Sequence, residues 1–370
     1  MVAKLPHLAE KVRSHLVRRT TLTSVGAVRT VERARSLRGS ASLTWRGRSG
    51  TERADCERVM RSILCPIDFS DGSRAALHVA AQFVRQFKAA LHVLFVEDPL
   101  LAPAAALGVP AGPDLKEELK QFVVNTPHLD LPVDPALHVA TGHPAEEIVA
   151  LADREQVDAI VMGTHGLTGV QKAFFGSTTA RVLRRTTRSL VMVPAAFGSS
   201  QARNLAGLGS ILVLTDFGPA ASCAAAGAAR LAESVGARLV LVHSVPAVSA
   251  PAAWSARAEA AIQSREADAH QHMCGAMAPL EKYGPVESVI VQGNVAERVA
   301  ELVQSSRAGL IVVGLDRDAR GSCPGSTAHA VICSASVPVL AMPAAVANGD
   351  ADARVYRANA REDESAAMTA

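Results

Sequence analysis

Apolar positions in this chain fall into short runs. Residues 63–67, 91–96, 137–140, 159–162 and 190–193 are strand-length and rich in Val, Ile and Leu. Between the first two runs, Ala76, Val79, Ala80, Phe83, Val84 and Phe87 recur at three- and four-residue spacing. That spacing predicts a helix with one apolar face, capped by Ser70 or Asp71. A Pro/Ala-rich loop to Pro113 leads to a predicted helix over 114–124. Gly142-His143-Pro144 opens another over 145–154, with Pro suited to the first turn. A further helix starts at Ser177. Short apolar strands alternating with helices predict a parallel sheet covered on both faces.

The pattern then repeats. Ile63-Leu64-Cys65-Pro66-Ile67-Asp68-Phe69 matches Ile211-Leu212-Val213-Leu214-Thr215-Asp216-Phe217, 148 positions on. Ile160-Val161-Met162-Gly163 matches Ile311-Val312-Val313-Gly314 at 151, and Gly176-Ser177-Thr178 matches Gly325-Ser326-Thr327 at 149. Val193-Pro194 has its counterpart in Met342-Pro343. A period this long is a duplicated domain, not a solenoid. The chain divides into 1–59, a first domain 60–194, a linker 195–208, a second domain 209–343 with a longer helix around 252–282, and a polar, alanine-rich tail 344–370 expected to be disordered.

Charge changes the picture at one end only. Residues 1–59 hold 13 Lys/Arg against 5 Asp/Glu, a net of +8, while the whole chain is +3; the rest is therefore −5. A mildly acidic body does not argue for nucleic acid. The basic segment reads as a disordered extension or a start placed too far upstream, Met60 opening the natural first strand; a functional basic arm is the alternative. No apolar run approaches the roughly 20 residues of a membrane span. The six cysteines form no C-x-x-C pair and no regular framework, which suggests a reducing, cytoplasmic setting.

Candidate chemistry concentrates in Gly163-Thr164-His165-Gly166 and the downstream Gly176-Ser177-Thr178-Thr179, a G-x2-G-x9-G-S skeleton. Glycine allows close backbone approach, and a helix starting at Ser177 offers free N–H groups beside hydroxyls, an arrangement that favours an anion. Neither the G-x4-G-K-[ST] loop nor the G-x-G-x-x-G signature is present. On spacing alone, ordinary turn chemistry explains these residues equally well.

With these motifs in order, the chain resembles a tandem universal stress protein. The resemblance rests on Pro66-Ile67-Asp68-Phe69-Ser70, the G-x2-G-x9-G-S skeleton and Val191-Met192-Val193-Pro194. It is strong over 60–194, weaker over 209–343, and absent from 1–59 and the tail. It implies two tandem Rossmann-like, doubly wound α/β domains, each a five-stranded parallel sheet in the order 3-2-1-4-5 with helices on both faces. It also implies an ATP site, with or without Mg. Pro66, Asp68 and Val96 would lie toward adenine and ribose, and Met162 would line the pocket. Gly163, Thr164, His165, Gly166, Gly176, Ser177, Thr178 and Thr179 would surround the phosphates. For Asp68, capping of the following helix is the plainer alternative. The fifth strands of the two domains are expected to pair antiparallel within the chain as a pseudo-dimer; further homodimerisation has no supporting signal.

The second copy departs from this pattern. Arg317 stands where the second glycine belongs, Asp316 and Asp318 flank it, and Gly314 to Gly325 is two residues shorter. It reads as structural or altered. Elsewhere, His270 and Cys274 share a helix face but are too few for a metal site. Lys172, Arg181, Arg184 and Arg185 suit either phosphate or a solvated face. No poised general base or nucleophile emerges, so at most slow ATP hydrolysis or autophosphorylation is expected. Asp68-Phe69-Ser70-Asp71-Gly72-Ser73 is not the Ser-Gly-Gly-type loop of related adenylating enzymes. The functional reading is an ATP-binding stress-response or signalling module; the alternative is a dimerisation scaffold indifferent to nucleotide.

Overall fold

The computed structural model describes residues 32–33, 60–97, 114–164, 176–194, 197, 208–246, 255–318, 321–323 and 325–344. The first half runs β1 (Ser62–Ile67), α1 (Asp71–Phe87), β2 (Ala90–Glu97), α2 (Leu115–Val124), β3 (Ala136–Thr141), α3 (Pro144–Arg154), β4 (Ala159–Gly163), α4 (Ser177–Arg185) and β5 (Ser189–Val193). The second half runs β6 (Ser210–Leu214), α5 (Pro219–Val235), β7 (Arg238–Val245), α6 (Ser255–Met277), a 3-10 turn (Ala278–Tyr283), β8 (Val286–Gln292), α7 (Val295–Ser306), β9 (Ala308–Asp318), β10 (Gly321–Cys323), α8 (Ser326–Ser334) and β11 (Val339–Pro343).

One sheet passes through both halves in the order β8-β7-β6-β9-β11-β5-β4-β1-β2-β3, with a two-residue strand, Glu32–Arg33, against β8. Within each half all pairings among the five strands are parallel and the order is 3-2-1-4-5, as the resemblance implied. The halves meet through an antiparallel pair: Val339 faces Met192, Leu340 faces Val191 and Ala341 faces Leu190. All six side chains are almost fully buried. Joining the two central edges leaves neither as an open template for another chain.

Two hydrophobic layers cover the faces of this sheet, and each draws on both halves. One contains Ile63, Val193, Ile211 and Leu340; the other contains Leu64, Leu190, Leu212 and Val339. Alternate residues of each strand therefore feed opposite layers, the consequence of a two-residue side-chain period in a doubly covered sheet. Phe197, in the segment read as a linker, adds its ring to the first layer. Helices α1 and α5 also touch across the halves, where Gln86 Nε2 donates to the Ser234 carbonyl at 2.9 Å.

Local capping follows the sequence. Ser70 is the N-cap of α1 and accepts from the Ser73 N–H; Asp114 caps α2 by accepting from the Lys116 N–H. Pro144 occupies the first turn of α3. The predicted long helix of the second half breaks into α6 and the 3-10 turn where Pro279 removes a backbone donor.

Candidate functional site

In each half the strand order reverses between the first and fourth strands, at β1/β4 and β6/β9. Ligands of open α/β sheets bind beyond the strand C-termini at such a reversal. Asp68 follows β1, and Gly163 ends β4. The Asp68 carboxylate accepts from both the Ser70 N–H (3.1 Å) and the Ser70 hydroxyl (2.5 Å) through one oxygen, Oδ1. Asp68 is thus not the helix cap itself; it orients the serine that is. Between them, Phe69 adopts a left-handed φ of 61°, a conformation uncommon for a bulky residue. Packing holds it there: its ring lies 4.8 Å from Phe95 and 5.4 Å from Phe122, centroid to centroid. Phe217 repeats the conformation at φ 65°.

Gly163 has a close structural reason to be glycine. A Cβ there would stand 2.9 Å from the Gly72 carbonyl oxygen in the first turn of α1. Its counterpart Gly314 is tighter, at 2.4 Å from the Ala220 carbonyl carbon. The sequence reading gave Gly163 to phosphate approach. The described contact adds a reason of another kind, strand–helix packing, and it is present in both copies.

Helix α4 then closes the crevice. Gly176 is its N-cap and supplies no side-chain cap, leaving the first N–H groups of the helix without that partner. The Gly176 N–H donates to the Thr164 carbonyl at 2.6 Å, and the Thr179 hydroxyl to the Gly163 carbonyl at 2.9 Å. These bonds fix the helix start beside the end of β4. Thr179 is buried and Ser177 exposed. Val96 is half-buried and Met162 buried against the layer containing Leu64, and Pro66 is buried within β1. His165, Gly166 and Lys172 lie outside the described residues.

The second half describes its crevice more completely. A cavity of about 280 Å³ is lined by Leu214, Thr215, Asp216, Ser244, Val313, Gly314, Asp316, Gly325, Ser326 and Thr327, among others. By the repeat offsets, Leu214, Asp216, Ser244, Val313 and Gly314 are the counterparts of Pro66, Asp68, Val96, Met162 and Gly163. Asp316 stands for His165, and Gly325, Ser326 and Thr327 stand for Gly176, Ser177 and Thr178. Residues picked from the first copy by motif thus have counterparts gathered around one hollow in the second.

The sequence profile of the universal stress protein family matches residues 60–194 and 208–343. The chain belongs to the universal stress protein family. Universal stress protein MJ0531 of Methanocaldococcus jannaschii is 30% identical over 146 residues, covering 37% of this chain and 84% of that protein. YxiE of Bacillus subtilis, also a universal stress protein, is 25% identical over 147 residues, 36% of this chain and 99% of its own. A universal stress protein structure from Archaeoglobus fulgidus shares the fold at a TM-score of 0.51 and 20% identity, covering 76% of this chain and 98% of that one.

Against this family pattern, the second copy differs in composition, and its stretch after the fourth strand takes a form of its own. After Gly314 the chain forms a hairpin: Asp316 pairs with Cys323, Arg317 with Ser322 and Asp318 with Gly321. Its returning strand β10 packs on α4 of the first half. Thr179 is replaced by Ala328, so the hydroxyl tie to the fourth strand has no equivalent. The aromatic neighbours of Phe69 change too: Phe217 sits 4.3 Å from His243, the counterpart of Phe95, and 5.4 Å from His272.

Other candidates resolve simply. Arg185 pairs with Glu146 at 2.7 Å, and Arg184 Nε donates to the Ala180 carbonyl of its own helix. Both are exposed, a solvated face. Burial pushes the Cys65 thiol well above its ordinary range, so it is no nucleophile. Among the described residues no group of three or more His, Cys, Asp or Glu could hold a metal ion, and no helix is long and apolar enough to cross a membrane.

Proposed function

We propose that the first half binds ATP and that the chain acts in the cytoplasm as a nucleotide-responsive module in stress response or signalling. The observation that carries this reading is the cavity of the second half. There the second-half counterparts of the site residues line one hollow, which supports reading the first half the same way, and the first half keeps the more favourable chemistry at these positions. Where the second copy has Asp316 and Arg317, the first has His165 and Gly166. Glycine lets backbone N–H groups approach a phosphate, and a carboxylate at that place repels one.

In this reading Asp68 accepts hydrogen bonds from ribose hydroxyls. Pro66, Val96 and Met162 supply the apolar walls. Gly163, Thr164, His165 and Gly166, with the start of α4 at Gly176, Ser177, Thr178 and Thr179, receive the triphosphate. The uncapped helix start suits that charge by its free N–H groups and its dipole. ATP, when bound, supplies a transferable phosphoryl group; Mg accompanies the triphosphate without a dedicated carboxylate pair. These residues bind and orient. None is placed as a general base, so hydrolysis or self-phosphorylation at Ser177 is at most slow.

A scaffold indifferent to nucleotide is the second reading, favoured by the intrachain pairing of β5 with β11. Mass spectrometry of small molecules released from the purified chain separates them. Retained adenine nucleotide near one per chain supports the ATP reading. A chain that retains none, and takes up none at millimolar ATP, is a scaffold.

A further inference from the structure

We infer that the outer edge of β3 is an interface between two copies of this chain, paired antiparallel about a two-fold axis so that the sheet continues from one chain into the next. The inference is independent of any nucleotide site.

β3 is the last strand of the sheet on the side of the first half. Its six residues pair with β2 in unbroken register, and none of them is buried. Among the described residues nothing pairs with its outer side. Every second residue therefore turns a backbone N–H and C=O away from the sheet. Proteins that keep such an edge single blunt it with charge, proline or a bulge. Ala136-Leu137-His138-Val139-Ala140-Thr141 contains no Lys, Arg, Asp, Glu or Pro. The strand at the opposite end of the sheet is treated differently. β8 buries Val286, Val289, Ile290 and Val291, and Glu32–Arg33 pairs with its outer side.

Apolar surface gathers at the same corner. Val124 ends α2, Val133 precedes β3 and Val139 lies within it; they are 67%, 41% and 38% exposed, the exposed large apolar residues among those described. Their grouping, more than their number, points to a partner protein.

The edge also fits a copy of itself. A hollow of about 370 Å³ is lined by four consecutive residues of β3, Leu137 to Ala140, so it lies along the strand's open side; Glu147 and Arg154 of α3 line it too. These two are seven positions apart, two turns of helix, and share one face about 10 Å apart. A two-fold axis through the middle of the edge sets α3 antiparallel to its equivalent. Glu147 of each chain is then brought toward Arg154 of the other. Among the described residues Glu147 has no ion-pair partner, and Arg154 reaches only its neighbour Glu155, at 3.3 Å. The same axis keeps like faces together. Leu137 packs on the layer of α2, Ala140 on the layer of α3, and each meets that layer's continuation in the second copy. A two-fold interface requires such self-complementarity. The chain already joins its two halves by antiparallel pairing of strand edges, β5 with β11. Those edges are consumed, and β3 continues the pattern outward.

Sedimentation velocity of the intact chain at low salt is the test, beside Val139→Lys, Glu147→Arg and Arg154→Glu. A reversible dimer is expected in the parent. V139K, which puts a charge on the edge, is expected to weaken it at least tenfold. E147R and R154E each oppose like charges twice by symmetry, and each is expected to weaken it severalfold. An equimolar mixture of these two variants is expected to dimerise again, because the two positive positions of one chain then face the two negative positions of the other. Both reversals lie on a helix surface, and far-ultraviolet circular dichroism checks that the fold is kept. A parent that stays monomeric at about 1 mM, a dimer that all three substitutions leave unchanged, or a mixture no tighter than its components overturns the inference.

Discussion

Gly163 at the end of β4 lies against Gly72 in the first turn of α1, so closely that a Cβ on Gly163 would approach the Gly72 carbonyl oxygen to 2.9 Å. The neighbour is backbone, which cannot swing aside. Gly163→Ala is therefore expected to destabilise the chain by about 1–3 kcal/mol, the usual range for overpacking. Gly314→Ala is expected to cost more, because its contact is 2.4 Å. Urea unfolding of both variants checks the order; a neutral Gly314→Ala would refute the packing account.

Thr179 ties the start of α4 to β4 through its hydroxyl on the Gly163 carbonyl. Thr179→Val removes the bond and keeps the shape. A buried hydrogen bond contributes on the order of 1 kcal/mol, so stability should fall by about that amount. ATP affinity should fall severalfold, because the helix start is no longer held at the crevice. Thr179→Ser should restore both. If the valine variant binds ATP as tightly as the parent, the tie has no part in the site.

The strands were legible because each is a continuous apolar run, and the repeat made the strand order of one half the strand order of the other. The hairpin of the second half was not. Its sequence, Asp316-Arg317-Asp318 and Gly321-Ser322-Cys323, has no apolar face to announce a strand, and its support comes from a helix of the other half. Gly163 was found as a motif residue, but its packing role depends on the distance to Gly72, which no spacing reveals. His243 was missed altogether; the one available signal was its position 148 residues after Phe95. The aromatic support of Phe69 likewise joins three elements distant in sequence.

Acid should destabilise the fold through its histidines. His78, His138 and His243 all have pKa values lowered from the ordinary 6.5, by burial first. His138 is also lowered by His92, whose Nδ1 lies 3.1 Å from its Nε2, a contact that needs one ring nitrogen bare. The unfolded chain then binds protons more readily than the folded one. The stability these groups contribute is complete above about pH 6.5 and is lost as pH falls through their lowered values. Unfolding midpoints between pH 7.5 and 5 should decline, and His138→Gln should flatten the decline. A steeper or unchanged slope in that variant would contradict the assignment.

Gln82 is buried, and its Nε2 has no partner among the described residues. An orphaned donor of this kind costs about 1–3 kcal/mol. Gln82→Leu is expected to raise the unfolding free energy by about 1 kcal/mol, read from the urea midpoint. A loss of stability would contradict the reading of this amide as an uncompensated buried donor.

Calorimetric titration of the intact chain with ATP, beside the Gly166→Val variant, bears most directly on the nucleotide reading. In the proposed site a valine at that position would take the space of the phosphates and resist the backbone freedom that glycine allows. Each charge-assisted hydrogen bond lost costs roughly 1.5–3 kcal/mol, a ten- to hundredfold or greater loss of affinity. The account predicts one ATP per chain in the parent and loss of that site in the variant. Two equal sites in the parent, or one site that Gly166→Val leaves untouched, would contradict it.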